Sequence, residues 1–315
     1  MHMRHLESAY LGQNEWWKYV LLIIISLVGA NIIGAIPLGV AMIIYSVKNG
    51  GTMNALEGLN FTAIGMNSTL GLALMIFSFI VGLVLFILLF KPFHQRLFQT
   101  VINGTNKIRW RRVITGFLIW GIIMAFYTTV DYFMNIDNYE LRLNLNALIP
   151  LAIVSLLLIP FQAFYEEILF RGYLAQGVGR ITKNRIAVII IPSIFFALMH
   201  GLNPEIEKFG FWNMMPQYFM IAAVYAFISI LDDGIELAMG AHAANNAFIS
   251  IFVTADGTAF QTDALLKVYE ISPWKEFVVL IIASAVFIGT LAFKYRWRFK
   301  ILSMPVEPDV KELKI

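Results

Sequence analysis

Eight apolar stretches divide this chain and constrain its fold more than any other feature. They cover residues 19–45, 70–90, 113–133, 148–171, 186–200, 217–231, 235–253 and 277–293. An α-helix needs about 20 mainly apolar residues to cross the hydrocarbon layer. Hydrophobic residues make up 59% of the chain and charged residues 14%, whereas about a quarter of a soluble domain is charged. The sequence therefore predicts an all-α, polytopic membrane helical bundle with about eight transmembrane helices.

No shift in composition, internal repeat or low-complexity segment indicates a second domain, so we predict a single integral membrane domain over residues 1–315. The polar lead before Tyr19 and the length of the apolar stretch after it are unlike a secretory signal, and we expect a retained first span. The chain has no cysteine, which excludes disulfides and thiolate chemistry.

The distribution of lysine and arginine predicts the orientation in the membrane. One set of alternate loops and termini contains Arg4, Lys18, Lys91, Arg96, Lys107, Arg109, Arg111, Arg112, Arg171, Arg180, Lys183, Arg185, Lys294, Arg296, Arg298 and Lys300. The other set contains Lys48, Arg142, Lys208, Lys267 and Lys275. Because loops rich in lysine and arginine stay in the cytoplasm, both termini are predicted to be cytoplasmic.

Charged residues at the end of the fourth stretch are the first candidates for a functional site. An ionised side chain in the hydrocarbon layer costs at least about 2.5–3.5 kcal/mol, so such residues usually have a function. Glu167 and Arg171 lie at i and i+4 on one helix face, where the arginine can neutralise the glutamate. This pairing leaves Glu166 free to act on another group. The alternative is a buried ion network that only closes the fourth span.

Two of the five histidines lie in apolar stretches. His200 ends the fifth stretch, and His242 lies in the seventh, four residues before Asn246. The spacing of i and i+4 places His242 and Asn246 on the same helix face. A single histidine on an apolar helix is usually a packing residue, but two histidines together with an intramembrane glutamate indicate a site.

Helix geometry tests whether these side chains can meet. At about 1.5 Å per residue, Glu166 and His200 both lie about 20 Å from the hairpin that joins their helices. His242 follows the turn at residues 232–234 by about nine residues. It is therefore expected at a shallower depth, unless that turn is sunk into the protein or the helices tilt.

A glutamate, two histidines and an asparagine at one point are suited to hydrolysis. A poorly solvated carboxylate is a good general base for water, and imidazole and amide groups can donate hydrogen bonds to an oxyanion. The same four side chains could equally bind a divalent metal such as zinc through nitrogen and oxygen ligands. Pro160 and Pro192 precede Glu166 and His200 on their helices and could kink them to open a wet cavity.

Three sequence motifs resemble those of the CPBP family, which comprises CAAX-processing proteases and bacteriocin-processing, Abi-type intramembrane proteases. The family's motifs are E-E-x-x-x-R, F-x-x-x-H and H-x-x-x-N or H-x-x-x-D, in this order on successive helices. The chain matches them with Glu166, Glu167 and Arg171, with Phe196 and His200, and with His242 and Asn246. The resemblance covers about residues 160–252, which we predict to be the catalytic core.

The resemblance implies an intramembrane endopeptidase, of the glutamate or metallo-endopeptidase type. In such an enzyme Glu166 and His200 would activate the attacking water, and His242 and Asn246 would stabilise the oxyanion. Alternatively, these four residues would bind a metal. The paired second glutamate and the arginine would orient the site. The cofactor is thus a divalent metal such as zinc, or none.

The expected substrates are membrane-associated peptides or proteins, cut near the cytoplasmic half of a bacterial cell membrane. The main alternative is a non-catalytic scaffold or bacteriocin-immunity factor that binds a peptide or protein partner in the same cavity. A proton-coupled transporter also uses intramembrane glutamate and histidine, but the lack of repeat symmetry argues against it. Nucleic acid is not expected as a partner, and no sequence feature indicates the oligomeric state.

Overall fold

A computed structural model of the chain describes residues 4–49, 60–105 and 107–308. Its α-helices are α1 (Trp16–Gly29), α2 (Ile36–Asn49), α3 (Ser68–His94), α4 (Thr100–Asn103), α5 (Trp110–Met134), α6 (Leu145–Glu167), α7 (Ala175–Thr182), α8 (Arg185–Met199), α9 (Pro204–Phe209), α10 (Phe211–Leu231), α11 (Glu236–Phe252) and α12 (Pro273–Tyr295). The π-helical segments Ala30–Gly34 and Ile168–Leu174 connect α1 with α2 and α6 with α7. The fold is a helical membrane bundle, as the sequence predicts.

A small sheet joins loops at one end of this bundle. Its strands are β1 (Tyr139–Leu141), β2 (Val253–Thr254) and β3 (Leu266–Val268), in the order β1-β3-β2. β1 pairs with β3 in antiparallel and β2 pairs with β3 in parallel orientation. The sheet therefore ties the loop after α5 to the long loop after α11.

All eight apolar stretches form helices, but not all of these helices are long enough to span a bilayer. Among the described residues, six helical segments are long and apolar enough to cross a membrane: Trp16–Asn49, Ser68–His94, Trp110–Met134, Leu145–Thr182, Phe211–Leu231 and Pro273–Tyr295. α8 is apolar but has only 15 residues, about 22 Å of helix. α11 packs chiefly against α5 and α6, and most of its residues are buried. The structure supports six spans, and the predicted count of eight is not confirmed.

The basic loops of the sequence meet at one end of the bundle. We call residues 4–15, 91–105, 107–112, 175–185, 232–236 and 296–308 the basic end. Here the amide of Val306 donates to the carbonyl of Lys183, and Arg185 forms a buried ion pair with Glu7. This grouping agrees with the alternation that predicts the orientation. Arg171 is the exception, because it lies buried inside the bundle and does not belong to a basic loop.

The turn between α10 and α11 is sunk into the basic end. His242 therefore lies deeper in the bundle than its distance along the chain from this turn predicts. The amide of Ile235 donates to the carbonyl of Ile102 at 2.9 Å. A Cβ atom added to Gly172 would lie 3.5 Å from Cδ1 of Ile235, so the turn is level with Gly172 and not with the hairpin tip. His242 lies seven residues beyond Ile235, and Glu167 five residues before Gly172. At about 1.5 Å per residue, they lie about 10 Å and about 8 Å from the same level, so their depths are similar.

α5 and α11 cross in close contact at two glycines. A Cβ atom on Gly240 would lie 1.9 Å from the carbonyl oxygen of Val113, and one on Gly116 would lie 2.2 Å from the carbonyl oxygen of Leu237. Small residues let membrane helices approach this closely. Because His242 is two residues beyond Gly240, the crossing also sets the position of this histidine.

We expect Gly240→Val to destabilise the protein, because the added atoms would overlap backbone that can move only if the two helices separate. Overpacking of this kind costs about 1–3 kcal/mol. The matched control is Gly121→Val on α5, where nothing lies within 4 Å of the Cβ position. Thermal unfolding in detergent measures the effect, and equal melting temperatures of the two variants would contradict the close crossing.

The N-terminal segment docks on the basic end through a buried histidine. His5 donates from Nε2 to the carbonyl of Val101 at 2.8 Å. Burial lowers the pKa of its imidazole below the ordinary 6.5, while the Val101 carbonyl and the nearby carboxylates of Asp233 and Glu236 act in the opposite direction and Arg109 lowers it further. Folding therefore favours the neutral ring. This contribution to stability is complete above pH 6.5 and is lost as the pH falls below that value.

We expect the wild-type protein to lose stability relative to His5→Gln as the pH falls from about 7 to about 5. Glutamine can donate the same hydrogen bond without titrating. Burial raises the pKa of Asp232 to about 6, so this group titrates in the same range with the opposite sign, but it is present in both proteins. The melting temperatures of the two proteins, measured at each pH, isolate the histidine. A difference that does not change with pH would refute its neutral burial.

Candidate active site

Four predicted site residues line one cavity of about 630 Å³ inside the bundle. Glu166 lies near the end of α6, His200 follows the last residue of α8, and His242 and Asn246 lie on α11. The helices thus bring together side chains that are up to 80 residues apart in sequence, from 166 to 246. Pro160 lies within α6 and Pro192 within α8, on the helices where the sequence places them.

Glu167 connects Arg171 with His242. Its Oε1 accepts a hydrogen bond from Nη1 of Arg171 at 2.9 Å and another from Nδ1 of His242 at 2.7 Å. The side chains of Glu167 and Arg171 are only 0% and 1% exposed, so their ion pair is removed from solvent. The i, i+4 pair expected from the sequence is present. Its bond to His242 was not foreseen, and this bond orients the imidazole so that Nε2 is left for other groups.

Aromatic rings enclose the guanidinium of Arg171. Its Cζ lies 4.2 Å from the ring centroid of Phe196 and 5.6 Å from that of Tyr225. Nε and Nη2 of Arg171 have no hydrogen-bond partner among the described residues. Cation–π attraction to these ring faces therefore supplements the ion pair with Glu167.

His200 is held by the phenylalanine of its own motif. Its Nδ1 donates to the carbonyl of Phe196 at 2.8 Å, and its ring packs between Phe196 and Tyr218 at centroid distances of 4.4 and 4.6 Å. Because a carbonyl only accepts, Nε2 of the neutral ring carries a lone pair. Within the described part of the chain no hydrogen bond joins His200 to Glu166. The two residues share the cavity without a direct bond.

Glu166 has a carboxylate oxygen that lacks a partner. Its Oε1 lies 3.4 Å from Nε2 of Gln162, a long hydrogen bond. Its Oε2 lies 3.6 Å from Nε2 of His242, which is beyond hydrogen-bonding distance. This oxygen is buried without a hydrogen-bond partner among the described residues. Buried carboxylate oxygens normally have a partner, so Oε2 is the atom available to a water molecule or a substrate.

Neighbours that the sequence reasoning missed hold Asn246. Nδ2 of Asn246 donates to Nε2 of His242 at 3.3 Å, and its Oδ1 accepts from Nδ2 of Asn245 at 3.1 Å. Oδ1 of Asn245 in turn accepts from Nε1 of Trp120 at 3.1 Å. The i, i+4 spacing of Gln162 and Glu166 could have identified Gln162. No signal in the sequence connects Trp120 with α11.

The four candidate metal ligands do not form a metal-binding group as they are placed. In the part of the chain that the structure describes, no three His, Asp or Glu side chains come together in a way that could hold an ion. The free carboxylate oxygen and the imidazole nitrogens are suitable donor types for zinc. The chemistry derived below uses protein groups and water.

The comparisons with known proteins agree with the three motifs. Residues 148–248 match the family described as type II CAAX prenyl endopeptidase Rce1-like. The uncharacterized protein YyaK of Bacillus subtilis (strain 168) is 32% identical over 197 residues, which are 62% of this chain and 66% of the relative. The match thus spans just under two thirds of the relative's length. No solved structure matches the chain significantly.

These findings confirm the family predicted from the motifs. The matched segment, residues 148–248, contains all three motifs, and its similarity supports the CPBP-type family of CAAX-protease-like membrane proteins. Together with the six apolar spans, the family shows that the protein is an integral membrane protein. The Bacillus relative indicates the bacterial cell membrane.

Proposed function

We propose that the protein is an intramembrane endopeptidase that hydrolyses peptide bonds of membrane-associated peptides or proteins. The observation that carries the proposal is the free, buried Oε2 of Glu166 in a cavity that His200 and His242 also line. Burying an unsatisfied polar group costs about 1–3 kcal/mol. A hydrolase uses such an oxygen to bind and activate water.

Glu166 acts as the general base. A water molecule between its Oε2 and the substrate carbonyl transfers a proton to the carboxylate as the water oxygen attacks the carbonyl carbon. When the tetrahedral intermediate collapses, the C–N bond breaks and Glu166 returns the proton to the leaving amine. His200 positions the water through the lone pair on Nε2.

His242 and Asn246 stabilise the oxyanion. Nε2 of His242 and Nδ2 of Asn246 are 3.3 Å apart, so both can reach one oxygen atom. Nδ2 of Asn246 turns from Nε2 of His242 to the oxyanion, and His242 donates from Nε2 as an imidazolium whose charge the carboxylate of Glu167 compensates at Nδ1. One such donor is worth about 10²–10³ in kcat. Glu167 and Arg171 are positioning residues that fix the ring without contacting substrate.

Substrate trapping with Glu166→Gln in native membranes tests the proposal. The variant keeps the shape of the cavity but lacks the base, so uncut substrates should accumulate and be detected by mass spectrometry. Glu207→Gln, at an exposed position on α9, is the matched control and should behave as wild type. If wild-type and Glu166→Gln membranes contain the same peptides, the proposal fails. A binding scaffold or immunity factor would then be favoured.

A further inference from the structure

We propose that the cavity takes its substrate from the extracytoplasmic side of the membrane. The substrate is then a peptide segment in the outer half of the bilayer or at its outer surface. The term substrate rests on the proposed function, but the side from which the cavity opens does not. This proposal replaces the expectation of cleavage near the cytoplasmic half of the bilayer.

The cavity extends away from the basic end. None of the described residues that line it belongs to the basic end, whereas several belong to the opposite end of the bundle, including Leu202, Asn203, Glu205, Thr254 and Thr258. Leu202 is 99% exposed. The cavity therefore runs from Glu166 towards the loops that contain few lysine and arginine residues.

The protein closes the path from the site to the basic end. Directly behind Glu166 lies the solvent-free pair of Glu167 and Arg171. Beyond this pair, one hydrophobic cluster contains Val101, Ile102, Phe170, Tyr173, Ile235 and Met239. These described residues pack closely against one another between the site and the basic end.

A buried polar layer seals the basic end further out. Nε2 of Gln176 donates to the carbonyls of His5 and Thr100, both at 2.8 Å. Oε1 of Gln176 accepts from Nη2 of Arg96 at 2.7 Å. These bonds hold the N-terminal segment and the loop after α3 against α7. The two segments therefore cover α7 at the basic end.

The short length of α8 creates the opening at the opposite end. α8 ends at Met199, directly before the site residue His200, so this helix does not fill the bundle beyond the depth of the site. The loop that follows and the loop after α11 frame the space instead. Oε1 of Glu205 accepts from the amide of Ala259 at 2.7 Å, and Nζ of Lys208 donates to the carbonyl of Asp256 at 2.5 Å. Together they form a polar mouth.

The distribution of lysine and arginine indicates which side of the membrane this mouth faces. The basic end contains most of the lysine and arginine residues, so it faces the cytoplasm, and the mouth at the other end faces outward. The cavity walls between α1, α3 and α6 are mainly apolar, for example at Leu27, Met75 and Phe79. A volume of about 630 Å³ accommodates a drug-sized ligand or a few peptide residues. The matching substrate is an extended, mainly apolar peptide segment that reaches the outer membrane surface.

Single-cysteine labelling tests the proposal, because the chain contains no cysteine of its own. Leu202→Cys and Thr258→Cys mark the mouth, Ile249→Cys marks the cavity wall and Lys300→Cys marks the basic end. Intact cells are treated with a membrane-impermeant sulfonated thiol reagent, before and after permeabilisation. We expect the first three variants to react in intact cells, and Lys300→Cys to react only after permeabilisation, with at least a tenfold difference in labelling.

The outcomes separate this proposal from the proposed function. Reaction of Lys300→Cys in intact cells, or protection of both mouth variants there, would overturn the orientation. Labelling of the mouth without labelling of Ile249→Cys would show that the cavity is closed to the outside, which also overturns the proposal. None of these readouts requires catalysis. A failure of substrate trapping therefore leaves the labelling result interpretable, and the reverse also holds.

Discussion

We expect Glu166→Gln to abolish peptide-bond hydrolysis while the protein folds and inserts normally. Glutamine has nearly the same shape as glutamate and keeps an oxygen that can accept the long hydrogen bond from Gln162, but it cannot take a proton from water. Loss of a general base lowers the rate by about 10²–10⁴. Since the substitution also removes a buried charge, the melting temperature should stay at or above that of the wild type.

Steady-state kinetics with a substrate identified by trapping would measure this effect. A loss confined to kcat, with KM within about twofold of wild type, indicates that the variant lacks a transition-state interaction and still binds substrate. Glu207→Gln should keep both constants and serves as the control. Full activity of Glu166→Gln would remove this glutamate from the mechanism, and with it the proposed role of its free oxygen.

The second large effect is expected for Arg171→Met. This substitution removes the cation that pairs with Glu167. The Glu167 side chain is 0% exposed, so its carboxylate then stays buried without a counter-charge. Removing one partner of a buried ion pair typically costs about 3–5 kcal/mol. Thermal unfolding in detergent should show a large decrease in melting temperature, and cleavage should also be lost because Glu167 orients His242.

A double variant separates stability from catalysis. In Glu167→Gln/Arg171→Met neither charge remains, and the glutamine oxygen can still accept from Nδ1 of His242. We expect stability to return close to wild type, while activity stays low because no negative charge balances a protonated His242. Lys183→Met breaks only the exposed pair with Glu307 and should change neither property. An Arg171→Met protein as stable as wild type would contradict the buried pair.

Much of the fold could be predicted from local patterns. Hydropathy located every long helix. In lipid the backbone N–H and C=O groups of a segment must form hydrogen bonds within that segment, so a long apolar stretch becomes a helix. The two apolar stretches that are not among the six spans show the limit of this reasoning. α8 is short, and α11 is buried among other helices, since hydropathy records how apolar a segment is and not whether lipid or protein surrounds it.

The candidate site could also be predicted only in part: contacts within one helix follow from the sequence, and contacts between helices do not. The i, i+4 rule predicted that Arg171 neutralises Glu167, because both residues lie on one helix and helix geometry is local. The bond from Glu167 to His242 and the contact of Trp120 with Asn245 join different helices. Such pairs depend on crossing angles and close approaches, among them the glycine contact between α5 and α11, which the sequence of one helix does not contain.

By itself, therefore, the sequence determined the class of protein, the family and the identity of the titratable side chains, since each depends on residue types at short, regular spacing. Only the tertiary structure decided that the turn before α11 is sunk, which brings His242 level with Glu167. It also decided that Oε2 of Glu166 lies without a partner at the cavity that His200 and His242 line, and towards which end this cavity extends. These properties arise from how separate helices pack against one another, and packing depends on contacts between residues far apart in the chain.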